Sequence, residues 1–157
     1  MLRLIPPPLH RAAYIVAHEL RRRWWRLAKP RLVGCRVLAF DGAGRLLLVR
    51  HSYGSRRWML PGGGVAAKES PLAAALRELA EETGCDLLDA RSVAMVDEPL
   101  YGTTNRVHVI GGRVEGTPRC DGREVIEVAF FDPAQLPDDM APALQRSLPD
   151  WVAAFVG

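Results

Sequence analysis

The sequence predicts an α+β domain, and three observations carry that prediction. Residues 32–40 (LVGCRVLAF) and 46–50 (LLLVR) are two apolar, strand-like runs. They are separated by Asp41-Gly42-Ala43-Gly44, where glycine supplies the positive φ that a hairpin turn needs. A glycine cluster at 62–64 then opens into an alanine- and leucine-rich stretch of helical composition that closes at Gly84. Beyond it, 89–96, 106–114 and 124–131 read as further strands, and 140–155 as a terminal helix.

Taken in order, the chain begins with an extension, residues 1–31, distinct from a domain at 32–157. Pro6-Pro7-Pro8 is stiff and extended and prevents helix before it. Leu9, Ala13, Val16, Leu20, Trp24 and Leu27 recur at helical spacing and predict an amphipathic helix over 9–27, stopped by Pro30. The extension holds eight Lys and Arg against one acid, Glu19, so it carries +7 while the remaining 126 residues carry −4, for a total of +3. Basic character therefore belongs to the extension, and no stable nucleic-acid complex of the domain is expected. The favoured expectation is that this helix packs its stripe on the domain or on a second subunit of a homodimer. Peripheral contact with an anionic membrane through residues 9–27 is the less favoured alternative. No apolar run is long enough to span a membrane, and the N-terminus lacks a secretory pattern. Cys35, Cys85 and Cys120 are odd in number and widely spaced, so a cytoplasmic location is expected.

Within the domain, the hairpin 32–50 is expected near the centre of a sheet, since its second strand is almost continuously apolar. His51 to Arg57 is polar and basic and reads as a loop. Ser70 can cap the helix, and Pro71 suits its first turn. Leu72, Leu76, Leu79 and Thr83 are expected to form its buried face, with Arg77 pairing to Glu81 one turn on. Gly111-Gly112 is expected to interrupt its strand, and Pro149 to break the terminal helix.

The chemistry concentrates on the central helix. Glu78, Glu81 and Glu82 stand at i, i+3 and i+4 on one face, where like charges repel and a divalent cation would make the arrangement favourable. Written with spacings, the stretch is Gly63, five residues, Glu69, seven residues, then Arg77-Glu78-Leu79-Ala80-Glu81-Glu82-Thr83-Gly84-Cys85. This closely resembles the signature of the Nudix hydrolases, the Nudix box. All of its fixed-identity positions are present, a coincidence of about 10⁻⁸ at one register. Cys85 stands where the family usually has Ile, Leu or Val, and as a small hydrophobe it should still pack. The lead-in Trp58-x-x-Pro61-Gly62-Gly63, the pair Phe130-Phe131 and the Leu136-Pro137 corner extend the resemblance over about residues 32–140.

The resemblance implies a mixed β-sheet sandwiched between helices, with Mg2+ or Mn2+ as cofactor. It implies cleavage of the diphosphate linkage of a nucleoside diphosphate derivative by metal-assisted attack of water at phosphorus. Glu82 and Glu78 would be the principal metal ligands, with Glu81 and the Gly62 carbonyl beside them. Different members take their general base from the box or from a loop before the last strand. Glu124 is the loop candidate here, and Glu127, the second, reads as a solvated strand residue. Glu69 is expected to order the box through Arg77, with Gly63 and Gly84 shaping its loops. Arg50, Arg57 and Tyr101 are the substrate-binding candidates, although Arg50 and Arg57 each alone, like His51, Tyr53 and Arg56, read as solvated loop residues.

Two downstream markers of substrate class conflict. Pro99, fourteen places after Cys85, points to ADP-ribose enzymes, and Tyr101, sixteen after, to dinucleoside polyphosphate enzymes. The expectation therefore stops at a nucleoside diphosphate derivative. The alternative is a non-catalytic Nudix-fold module that senses nucleotide, ranked lower because such modules typically lose box glutamates that this chain retains.

Overall fold

The computed structural model describes residues 32–100, 102–120 and 122–157, together with Ala13, Val16, Ala17 and Leu20, which are helical and exposed. The rest of the predicted N-terminal helix and Tyr101 lie outside the described residues. In chain order the elements are β1 (Leu32–Phe40), β2 (Leu46–His51), β3 (Gly62–Gly64), α1 (Pro71–Thr83), β4 (Asp86–Leu100), β5 (Thr103–Glu115), β6 (Val125–Phe131) and α2 (Pro142–Val156). The sheet runs β4-β5-β1-β2-β6, with β3 lying beside β1. β1 is parallel to β5 along its whole length, while the other pairings are antiparallel, so the sheet is mixed as expected.

Alternation along the strands builds a core on each face. Cys35, Val37, Ala39 and Leu47 meet Ala74, Ala75 and Leu79 of α1. Leu38, Phe40, Leu46 and Leu48 meet Leu144, Leu148 and Trp151 of α2. The sheet is thus sandwiched between helices.

The hairpin opens a gap at the centre of that sheet. β1 and β2 pair only beside their turn, at Phe40 and Leu46. Further along, the segment before α1 wedges between them. Val49 and Met59 exchange backbone hydrogen bonds at 2.9 and 3.0 Å, and the Val37 N–H donates to the Pro61 carbonyl at 2.8 Å. Gly62–Gly64 then pairs with Gly34–Arg36. Gly62 has φ +150°, and a Cβ there would lie 2.2 Å from the Cys35 carbonyl oxygen, so only glycine can enter.

Four sequence expectations are corrected. The buried face of α1 is Ala74, Ala75, Leu79, Glu82 and Thr83, whereas Leu72 is 39% exposed. Small alanine side chains let the helix lie close to the sheet, and the leucine of the first turn is left outside. His51 is the buried last residue of β2 and not a solvated loop residue. Gly111 and Gly112 do not interrupt β5, because its ladder with β1 continues through both. Their work is steric: a Cβ on Gly111 would lie 2.4 Å from the Phe155 ring, and one on Gly112 2.7 Å from Leu87. Pro149 lies inside α2 without ending it. A proline within a helix costs about 3 kcal/mol, which burial of Leu144, Leu148 and Trp151 offsets.

Gly111→Ala is expected to lower unfolding free energy by about 1–3 kcal/mol through overpacking against Phe155. Gly42→Ala, at a turn with open space, serves as the control. Urea denaturation showing equal midpoints for the two variants would refute this account.

Candidate active site

The position of Glu82 follows from the helix period. Ser70 caps α1 by accepting the Ala73 N–H at 3.1 Å, and Gly84 closes it in the left-handed conformation. Between those ends, Ala75, Leu79, Glu82 and Thr83 fall on one stripe facing the sheet. A carboxylate on that stripe is carried inside, and Glu82 is only 4% exposed. Its charge has two partners there: His51 Nε2 lies 2.7 Å from Oε1, and the Gly62 N–H donates to Oε2 at 3.1 Å.

Glu78, one turn earlier, reaches the neighbouring glycine. A Cβ on Gly63 would lie 2.4 Å from Glu78 Oε1, so glycine at 63 makes the room this carboxylate occupies. The two consecutive glycines of β3 therefore cradle two carboxylates one helical turn apart. Glu81 is turned outward, 61% exposed, and meets Arg77 at 3.3 Å.

Arg77 holds this region together. It takes Glu69 with two prongs (Nε to Oε1, 2.8 Å; Nη2 to Oε2, 3.0 Å) and donates to Glu78 at 2.8 Å and to the Gly64 carbonyl at 3.1 Å. Glu69 also accepts the Ala66 N–H at 2.9 Å, which closes the loop between β3 and α1.

The electrostatics separate these groups. The Arg77 guanidinium and the Ala66 N–H hold the Glu69 carboxyl down to about 2. Its pairing is complete above the ordinary carboxylate range and is lost only as pH falls through about 2. Burial instead pushes Glu78 up against the opposing pull of Arg77, and the charges of Glu82 and Glu81 add to the rise. Burial likewise pushes Glu82 up, although His51 and the Gly62 N–H oppose it. For His51, burial disfavours the cation, but the hydrogen bond and charge of Glu82 outweigh it, with help from Glu124 and Glu78, and the net shift is upward.

Glu124 stands just before β6 and is tied to the segment following His51. The Tyr53 hydroxyl donates to Glu124 Oε1 at 2.9 Å, and the Ser52 N–H donates to the Glu124 carbonyl at 2.9 Å. Glu127 is exposed and opposite Arg50 on the ladder. Arg50 lies on the α2 side of β2, 4.7 Å over the Trp58 ring, and meets Asp139 at 3.4 Å. Arg57 is 3.9 Å from the same Asp139.

A cavity of about 520 Å³ opens beside β3. Gly62, Gly63, Cys35, His51 and Tyr53 line it next to the carboxylates, and Arg36, Leu100, Asn105 and Val107 line it farther along the sheet. Burial pushes the Cys35 thiol up to about 11, so it faces the cavity as a neutral group. Arg50 and Arg57 are not among the lining residues. Sequence reasoning missed His51 as a partner of Glu82, and missed Arg36 and Asn105 entirely. Period-two spacing of Leu47, Val49 and His51 was the available signal for the first. Asn105 and Arg36 come together only through the sheet.

Among the described residues, no three His, Cys, Asp or Glu side chains form a ready-made metal cluster. The donor chemistry nevertheless suits a hard divalent cation. Burial disfavours the charge of both carboxylates; Glu78 occupies the room left by the missing Cβ of Gly63, and Glu82 accepts the Gly62 N–H.

The family model described as NUDIX domain matches residues 30–152. A Bacillus subtilis (strain 168) protein named "Putative 8-oxo-dGTP diphosphatase" is 29% identical over 119 residues, covering 75% of this chain and 78% of that protein. The crystal structure of a MutT NUDIX hydrolase from Burkholderia pseudomallei superposes with a TM-score of 0.69 at 27% identity, covering 76% of this chain and 97% of that one. A MutT protein structure from Methanosarcina mazei Go1, 23% identical over 82% of this chain and 94% of its own, shares the fold with a TM-score of 0.67. The box spacing, the carboxylates set against β3 and the matched span agree, and the chain belongs to the NUDIX domain family.

Proposed function

We propose that this protein is a pyrophosphohydrolase that cleaves the diphosphate linkage of a nucleoside diphosphate derivative. The observation that carries the reading is the placement of Glu78 and Glu82 against consecutive glycines at the edge of the cavity. Glu78, Glu82 and the Gly62 carbonyl, with Glu81 nearby, would hold Mg2+ or Mn2+. When bound, the metal supplies charge neutralisation of the diphosphate and polarisation of a water. The chain's own residues do the remaining work. Gly62 and Gly63 let the backbone approach phosphate closely. Arg77, braced by Glu69, fixes the loop that carries them. Glu124, which accepts the Tyr53 hydroxyl, or a box glutamate would take the proton of the attacking water. The name of the Bacillus subtilis relative directs the first substrate to test, 8-oxo-dGTP. Residues 1–31 are proposed to be a separate basic appendage, and the protein to act in the cytoplasm.

The test is a panel of nucleotide derivatives assayed for diphosphate cleavage with each metal. Metal-dependent turnover on at least one member is expected. Tight nucleotide binding without turnover on any would favour the sensing module instead.

His51→Ala is expected to lower kcat by about 10–100-fold, the usual cost of losing a partner that orients a metal ligand. Affinity for Mn2+, followed by its electron paramagnetic resonance signal, should fall alongside. Unaltered kcat and Mn2+ affinity would remove His51 from the site.

A further inference from the structure

The cavity has two chemically different ends. Gly62, Gly63, His51 and Tyr53 form one, beside the carboxylates. The other lies where β1 begins. There Leu32 stands beside Asn105 and Gly34 beside Val107 in the parallel β1–β5 ladder, and Glu98 faces Asn105 from β4. Gly34 pairs with Gly64, and a Cβ on Gly34 would lie 3.2 Å from the Gly63 carbonyl oxygen and 3.4 Å from the Asn105 amide, so this end adjoins the glycine strand. Arg36, whose backbone pairs with Gly62, reaches it through its side-chain ion pair to Glu98.

Three features define the chemistry of that second end. Arg36 is the one Arg or Lys among the described lining residues, and Glu98 neutralises it through a 2.6 Å ion pair. Its Nε is buried with no hydrogen-bond partner, so the protein leaves part of this guanidinium unused. Asn105 is half-buried in a strand, a position that asparagine disfavours. Its amide atoms lie 3.4 and 3.5 Å from where a Cβ on Gly34 would sit, so the missing side chain leaves the amide room over β1. Leu32, Val33, Leu100 and Val107 complete the wall with apolar surface.

A paired cation, a side-chain amide and apolar walls suit a flat, neutral, hydrogen-bonding ring better than another phosphate. Arg presents N–H donors, and Asn a donor and an acceptor, to the edges of such rings. Resting on the reading of the glycine end as the diphosphate site, we propose that Asn105, together with the Arg36–Glu98 pair, reads the nucleobase of the substrate. These residues then determine which base the enzyme accepts.

Binding of AMP, GMP, CMP and UMP, measured by calorimetry, tests this without turnover. Wild-type affinities are expected to differ by about tenfold or more between best and worst base, the discrimination one paired contact supplies. In Asn105→Ala that spread should shrink to about threefold or less, with binding of the poorest base almost unchanged. Glu98→Gln, which frees the Arg36 charge, should also compress the spread and should raise affinity for inorganic phosphate. Thermal midpoints near wild type confirm that both variants fold. Equal wild-type affinities, or a spread unaltered in both variants, would overturn the proposal. Turnover of a nucleotide together with base-blind binding leaves the hydrolase standing and removes the base site. Base-selective binding that Asn105→Ala abolishes, without turnover on any substrate, keeps the base site and removes the hydrolase.

Discussion

Glu82→Gln is expected to reduce metal-dependent kcat by about 10³-fold, because removing an anionic oxygen from a metal site forfeits several kcal/mol of transition-state stabilisation. The substitution is nearly isosteric. The Gln carbonyl can still accept the Gly62 N–H, and the packing of α1 on the sheet has no reason to change. Stability should respond in the opposite sense from activity. Burial disfavours the Glu82 carboxylate, so a neutral amide at a position only 4% exposed should leave the thermal midpoint unchanged or raise it. Initial rates with Mg2+ and Mn2+, combined with a thermal melt, separate the two effects. Wild-type turnover in this variant would sink the metal-site assignment, and a collapsed melt would show that Glu82 serves the fold first.

Gly62→Ala is expected to cost about 2–6 kcal/mol of stability, from backbone strain at φ +150° and a Cβ forced against the Cys35 carbonyl. The strain cannot be relieved locally. Gly62 is the first residue of a three-residue strand held between β1 and the helix. Moving it also withdraws the N–H from Glu82 Oε2, so residual activity in the folded fraction should fall by at least about tenfold, the loss of one charge-assisted hydrogen bond. Gly64→Ala, two residues on with open space for a Cβ, should stay close to wild type in both respects. Urea midpoints and rates measured well below each midpoint would check this. Equal behaviour of the two alanine variants would falsify the steric account of β3.

Much of this was readable before any coordinates. The helix from Pro71 to Thr83, its Ser70 cap and Gly84 stop follow from local preferences that need no partner. β1, β2 and β6 came from apolar runs bounded by turns. The errors share one cause, that burial depends on what lies opposite. Leu72 looked buried because it is apolar, yet it is 39% exposed, and Ala74 and Ala75 are the residues buried against the sheet. Gly111 and Gly112 looked like breaks, yet Phe155 and Leu87 need the space they leave. Pro149 looked like a stop, yet buried Leu144, Leu148 and Trp151 hold α2 on both sides of it.

The sequence by itself determined the family motif, the order of the strands and helices apart from β3, and the carboxylates at i, i+3 and i+4. These are properties of spacing along one chain. Only the tertiary structure decided that the three carboxylates part company. Glu82 goes inside against His51, Glu78 lies against Gly63 under Arg77, and Glu81 turns to solvent. The physical reason is the splayed hairpin. Because β1 and β2 separate beyond Phe40 and Leu46, the glycine strand can enter between them and meet the helix that follows it. On the other side of β1, the β1–β5–β4 register unites Arg36 with Glu98, sixty-two residues apart, beside Asn105. No local pattern encodes such a meeting, since it depends on the register of strands distant in sequence.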